Sequence, residues 1–255
     1  MQLSSKNQTI LLLSDSHQEV NKLEYILTKE SYDICVHLGD HFDSFSHDSE
    51  ADAIKVCNFL KKWMFKPNFY STFGNHDMPI FHNNPYTICS GFYKWKKDLV
   101  AKELGELLPE IRSKFKWYIF VDDFLCSHAG VNAHHFPPNL KVTKDGITKW
   151  LDTQIEYAKE SLIAGSYHYL YGAGVARGGR QSYGSLLWQD FDAEFEPIED
   201  LKQIVGHSSH PRILNHSSDG NLDIASCDNI DIDCHLSQYL LITNGKVQIK
   251  DYKDL

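Results

Sequence analysis

Cysteine is sparse and unpatterned in this chain. The six cysteines (Cys35, Cys57, Cys89, Cys126, Cys227 and Cys234) never fall in a Cys-x-x-Cys spacing. That argues against a zinc ribbon or a dithiol redox pair and suits reduced thiols used as small core side chains. No apolar run approaches the ~20 residues of a membrane span, so no membrane association is expected. The start, Met1-Gln-Leu-Ser-Ser-Lys6, lacks the basic-then-apolar order of a secretory leader, and with reduced thiols this points to the cytoplasm. Basic residues are outnumbered, 25 Lys and Arg against 34 Asp and Glu, for a net charge of −9. That balance works against an extended nucleic-acid footprint. There is no internal repeat, low-complexity tract or Pro/Gly/Ser-rich linker. A chain of 255 residues, 42% hydrophobic, can bury a full core, and one domain over residues 1–255 is expected.

Histidine, by contrast, is plentiful, with fourteen in all, and several stand where strands end. Thr9-Ile-Leu-Leu-Leu13 is a continuous apolar run suited to a strand covered on both faces, and it stops at Ser14-Asp15-Ser16-His17. Val20, Leu23, Ile26 and Leu27 then recur at helical spacing across Glu19–Lys29. Ile34–Leu38 is a second buried strand ending in Gly39-Asp40-His41-Phe42-Asp43. A helix over Ala51–Phe65 closes at Pro67, and a third strand, Phe69–Phe73, runs into Gly74-Asn75-His76-Asp77. This βαβαβ order is the α/β pattern, in which ligands gather beyond the carboxyl ends of the strands. All three polar clusters lie there.

Beyond that point the pattern predicts a helix over Asp98–Lys114 and a hairpin, Lys116–Val121 with Phe124–Ser127, ending in His128-Ala-Gly130. A helix over Thr143–Ala164 stops at Gly165. Tyr167–Gly184, rich in Gly, Tyr and Arg, reads as a loop folded over the site. Ile204-Val-Gly-His207 ends another short strand. Leu222–Ser226, Gln238–Thr243, the turn Asn244-Gly245 and Lys246–Lys250 read as a closing meander.

Asp15, His17, Asp40, Asn75, His128 and His207 are therefore the candidate donors. Each cluster alone also reads as a helix cap or a turn; their occurrence after successive strands favours a shared site. Carboxylate, amide and imidazole without thiolate suit Mn²⁺, Fe or Zn²⁺, and Asp40 is the best placed to bridge two ions. A metal pair can acidify a shared water for attack on phosphorus.

These motifs together, Asp15-x-His17, Gly39-Asp40-x-x-Asp43, Gly74-Asn-His-Asp77, His128-Ala-Gly130 and Gly206-His207, resemble the ordered motifs of the calcineurin-like metallophosphoesterases. Ser185-Leu-Leu-Trp-Gln-Asp190 and Ala176-Arg-Gly-Gly179 are similar to the phosphoprotein-phosphatase-like branch, with its bacterial and phage members and the symmetrical diadenosine tetraphosphate hydrolases. The resemblance implies two mixed β-sheets packed as a sandwich, an α/β (α+β) fold flanked by helices. It implies two divalent ions, manganese first: Asp15 and His17 on one, Asp40 bridging, and Asn75, His128 and His207 on the other. His76 would be the general acid, with Asp43 orienting it and raising its pKa. The activity implied is hydrolysis of phosphomonoesters, on a phosphoprotein, a small phosphate ester or a nucleotide.

The sequence departs from the branch where many members carry a phosphate-gripping arginine after the second aspartate. Here the residue is Ser44. Arg177 and Arg180, among glycines, are the substitutes, since a guanidinium can hold two phosphate oxygens. His210 is left out of the ligand set because Gly206-His-Ser-Ser-His210 has one residue too many. Trp188 is expected to fill core or wall, His37 to be buried with a hydrogen-bonded ring, His41 to face solvent, and Asp231-Ile-Asp233 to form a solvated turn. The alternatives are a dinucleoside polyphosphate hydrolase, its groove lined by the aromatic loop, and a non-catalytic phosphate-binding module.

Overall fold

The computed structural model describes residues 1–44, 46, 48–215 and 228–255. The chain begins with strands β1 (Gln2–Leu3) and β2 (Thr9–Leu13), helix α1 (Val20–Lys29) and strand β3 (Ile34–His37). Helix α2 (Glu50–Trp63), strand β4 (Phe69–Ser71) and a single turn, α3 (Met78–Phe81), follow. Then come α4 (Lys94–Leu104), α5 (Leu108–Lys114), β5 (Ile119–Val121), β6 (Phe124–Cys126) and α6 (Lys144–Ala164). The remaining strands are β7 (Lys202–Val205), β8 (Leu214–Asn215), β9 (Asn229–Asp231), β10 (Gln238–Thr243) and β11 (Lys246–Asp251).

Two sheets result, in the orders β11-β10-β2-β3-β4 and β1-β5-β6-β7-β9-β8. Both are mixed: β2, β3 and β4 pair parallel while β10 joins β2 antiparallel, and β7 is parallel to both β6 and β9 while β5 opposes β6. The period-2 alternation of each strand settles how the sheets meet. Ile10 and Leu12 of β2, Val36 of β3, and Leu240 and Ile242 of β10 share one core with Ile119, Val121, Cys126, Ile204 and Ile230 of the other sheet. Leu11, Leu13 and Cys35 point the other way and pack with Leu23 and Ile26 of α1 and Val56 and Leu60 of α2. The fold is thus a sandwich of two mixed sheets with helices outside.

Local chemistry places the helix ends. Ser49 caps α2 by accepting the Asp52 amide at 3.2 Å, and Thr143 does the same for Gly146 at the head of α6. Gly165 ends α6 in the left-handed region, where glycine carries no steric penalty.

The continuous helix expected over Asp98–Lys114 is broken in two. Gly105 ends α4 at φ +52°, outside helical space, and Pro109 in the first turn of α5 lacks the N–H that would continue the ladder. The third strand is shorter than its apolar run, because only Thr72 goes on to bridge Lys116. The aspartates of Asp231-Ile-Asp233 are buried, so the solvated turn expected there is replaced by the end of β9. The strand predicted over 222–226 lies outside the described residues.

Candidate metal centre

Five strand ends, those of β2, β3, β4, β6 and β7, deliver the donors. The loops after β2 and β3 continue side by side past the sheet: the amides of Asp15, His17 and Gln18 donate to the carbonyls of Gly39, Asp40 and His41 at 2.9–3.1 Å. To do so Asp15, His17, Asp40 and Asp43 all take positive φ, between 40° and 62°, and His207 after β7 takes 74°. Such backbones are costly for residues with a Cβ and cluster at functional sites. Gly74 allows the third loop to close in, since a Cβ there would sit 2.0 Å from Asp40 Oδ1. Asp77 ties the loops together by accepting the amides of Asp40, His41 and Gly74 at 2.9–3.0 Å. Burial first, then the Asp40 carboxylate, pushes Asp77 up to about 7.

The six predicted donors converge. His17 Nε2 lies 3.7 Å from Asp15 Oδ1 and 3.7 Å from Asp40 Oδ2, and His128 Nε2 lies 3.4 Å from Asp40 Oδ2. Asn75 Oδ1 is 2.8 Å from His128 Nε2 and 2.9 Å from His207 Nδ1. The rings are aimed by their other nitrogens: His17 Nδ1 meets the Asp43 carbonyl at 2.7 Å and His128 Nδ1 the Leu38 carbonyl at 2.8 Å. Each therefore turns Nε2 inward, the usual way a protein orients an imidazole toward a metal. Two triads, Asp15–His17–Asp40 and Asp40–His128–His207, each place their ligand atoms within 4.8 Å of one another.

Electrostatics agree with cation binding. Burial alone would keep His17 and His128 neutral, but the Asp15 and Asp40 carboxylates outweigh it and lift both to about 9. His207, buried and beside His128 and Arg177, is held well below the ordinary histidine range. Burial would raise Asp40, yet the surrounding histidines hold it far below the usual carboxylate range. Asp15 Oδ1 is buried without a hydrogen-bond partner among the described residues. A buried oxygen with no donor, facing imidazole nitrogens, is what a divalent ion would satisfy. The residues fit the ions.

His76 stands in the same wall. Its amide donates to Asp40 Oδ1 at 2.9 Å, and its Nδ1 lies 2.9 Å from Asp43 Oδ2. Burial opposes a charge on the ring, but Asp40 and the bond to Asp43 prevail and hold His76 well above the ordinary value. Behind this pair lies Lys96, fully buried and ion-paired with Asp43 Oδ1 and, at 2.6 Å, with Asp48. Neither Lys96 nor Asp77 stands out in the sequence: the first sits in a basic helical stretch, the second in a turn motif.

The cavity over this wall measures about 1440 Å³ and includes both arginines, Ser44 and the aromatics Tyr86, Tyr167, Tyr171 and Trp188. Arg177 pairs with Asp190 at 2.9 Å and donates to Ser208 Oγ at 2.9 Å; Arg180 is exposed. The loop carrying them contains short 3₁₀ turns at Tyr169–Tyr171 and Val175–Arg177. Buried Glu194 anchors it through the amides of Ala176 and Gly184. Trp188 forms wall, its ring 5.2 Å from that of His207. His41 corrects the expectation of a solvent-facing ring: it is buried, stacked on His37 at 4.1 Å and bonded to Ser71. His37, as expected, is buried, with Nδ1 accepting the Gly39 amide. His210 lies 3.7 Å from Asp231, in neither triad.

Residues 8–211 match the family model described as calcineurin-like phosphoesterase, and the chain belongs to that family. Among solved structures it is similar to the cold-active protein-tyrosine phosphatase of a psychrophile, Shewanella sp., with a TM-score of 0.59 and 13% identity over 100% of this chain and 80% of that one. It is also similar to a protein serine/threonine phosphatase from Saccharomyces cerevisiae, with a TM-score of 0.54 and 12% identity over 98% of this chain and 82% of that one. At such identities the likeness establishes the fold. No curated protein matches the sequence. Family membership implies phosphoester hydrolysis with divalent metal ions, for which the two triads are candidate ligands. No helix among the described residues is long and apolar enough to cross a membrane.

Proposed function

We propose that the protein is a phosphomonoesterase of the phosphoprotein-phosphatase-like branch, acting in the cytoplasm on phosphoserine, phosphothreonine or small phosphate esters. Asp15 and His17 would hold one divalent ion and Asn75, His128 and His207 a second, with Asp40 shared. The oxygen and nitrogen donor set favours manganese, with iron or zinc as the other candidates. When bound, such a pair supplies Lewis acidity toward phosphate oxygens and toward water.

The chain's own groups do the rest. Asp43 Oδ2 accepts the Nδ1 proton of His76, which fixes the ring and favours the imidazolium, leaving Nε2–H to protonate the departing oxygen. Arg177, steadied by Asp190 and Ser208, would grip a phosphate oxygen from the cavity side, and Arg180 would approach from its exposed position in the same loop. The observation that carries this reading is the His76–Asp43 pair standing beside six converging donors.

Replacing His76 by alanine should leave about two equivalents of metal bound while slowing hydrolysis of alkyl phosphates by ~10²–10⁴-fold. Aryl phosphates with good leaving groups should suffer less. Full alkyl phosphatase activity in that variant, with metals retained, contradicts the acid role. The aromatic flank of Tyr86, Tyr167 and Tyr171 favours a second reading, cleavage of a dinucleoside polyphosphate. Product analysis on diadenosine tetraphosphate against a phosphopeptide separates the two.

A further inference from the structure

Around Nδ1 of His76, three side chains of different chemistry meet: His76 itself, Asp43 and Cys89. His76 Nδ1 lies 2.9 Å from Asp43 Oδ2 and 3.5 Å from Cys89 Sγ. One nitrogen, one oxygen and one sulfur from these residues fall within 4.8 Å of one another. Cys89 comes from the segment between the 3₁₀ turn Pro85–Thr87 and α4. It is half-buried and lines the cavity, so the cluster is reachable from solvent.

The spacing suits a small tetrahedral ion. Donors ~2.0–2.3 Å from zinc stand roughly 3–4 Å apart at tetrahedral angles, and the observed 2.9 and 3.5 Å come close to that. Charge suits it too. Lys96 occupies the other oxygen of Asp43 but is shared with Asp48, so once binding has released the His76 and thiol protons two carboxylates and a thiolate face one ammonium and the ion. The thiol also sets this cluster apart from the oxygen-and-nitrogen cradle, because sulfur favours zinc over manganese.

We propose that Asp43, His76 and Cys89 form a third metal site, selective for zinc and inhibitory. Binding makes Zn–Oδ2, Zn–Nδ1 and Zn–Sγ bonds and releases the thiol proton and the Nδ1 proton to solvent. His76 then stands as neutral imidazole held through Nδ1, and its remaining Nε2–H is a far weaker acid than that of the imidazolium. The inhibition rests on the reading of His76 as general acid; the binding does not.

Cobalt(II) is the probe, because thiolate ligation gives a near-ultraviolet charge-transfer band that the sulfur-free cradle cannot produce. Titration of the metal-free wild type should develop that band, and C89A should lack it while still taking up two equivalents. C89S serves as the second variant in case C89A folds poorly. In manganese-loaded protein, added zinc should slow alkyl phosphate hydrolysis, and C89A should raise the half-inhibitory zinc concentration at least about tenfold, as losing a ligand should cost no less than losing an outer-shell partner. No band in the wild type, a band that persists in both variants, or unchanged zinc sensitivity overturns the proposal. The absorption reading stands even if no phosphoester is turned over, so the two readings fail separately.

Discussion

Lys96 has no exposed surface, yet it sits in a basic stretch, Lys94-Trp-Lys96-Lys97, just ahead of the helix expected from Asp98. Buried ammonium groups persist only when paired, and both partners here, Asp43 and Asp48, come from the loop after β3. Removing one partner of a buried pair typically costs about 3–5 kcal/mol, so K96M should lower unfolding free energy by that order in chelator. It should also slow alkyl phosphate turnover by roughly 10- to 100-fold, more than aryl turnover, because a less constrained Asp43 aims His76 less well. Equal loss on both substrates would show that Lys96 only supports the fold. The convergence of the six predicted side chains was legible because each follows a strand. Lys96 was not, because its meaning depends on a contact 53 residues away in the chain. His41 and the two aspartates at 231 and 233 were misread for a related reason: polar residues beside a loop motif look solvated until distant chain covers them, as Phe59 and Phe115 cover His41.

At the level of elements, the first half of the fold was legible because β2 and β3 are continuous buried runs while α1 and α2 keep helical spacing from end to end. The second sheet does not. Its strands are two to four residues long, too short for alternation to show, and its parallel neighbours are joined across long stretches of chain. The break between α4 and α5 was also hidden, because Leu104, Leu107, Leu108 and Ile111 keep helical spacing through Gly105. The glycine's φ of +52° supplies the test. A Cβ there meets nothing within 4 Å, so G105A should destabilise by backbone strain alone, about 1–2 kcal/mol. Thermal denaturation checks this, and metal content should be unchanged. An alanine variant as stable as the parent would mean that the two helices can merge.

For the molecule as a whole, the site makes stability depend on pH in opposite senses with and without metal. In the metal-free protein His17 and His128 are lifted from 6.5 to about 9. Their contribution is therefore fully present below pH ~6.5 and lost as pH rises through ~9. On the ligation proposed above, metal binding needs those nitrogens unprotonated, so apparent affinity should fall as pH drops through the same window. Unfolding in chelator should thus become easier from pH 6.5 to 9, while the stabilisation from added Mn²⁺ should grow, reaching ~2.7 kcal/mol per ion at a hundredfold excess over Kd. Parallel curves under the two conditions would mean that these histidines are not ligands.

The positive φ angles at Asp15, Asp40 and His207 bear on how the centre can be dissected. An alanine at any of them alters two things at once, a donor atom and the ease with which the main chain holds its bend. Aspartate and asparagine tolerate that bend better than most residues. D15N and D40N therefore isolate the loss of charge from the loss of shape, and glycine at the same positions isolates shape retained without any donor. Comparing the three substitutions separates what the side chains bind from what the loops remember.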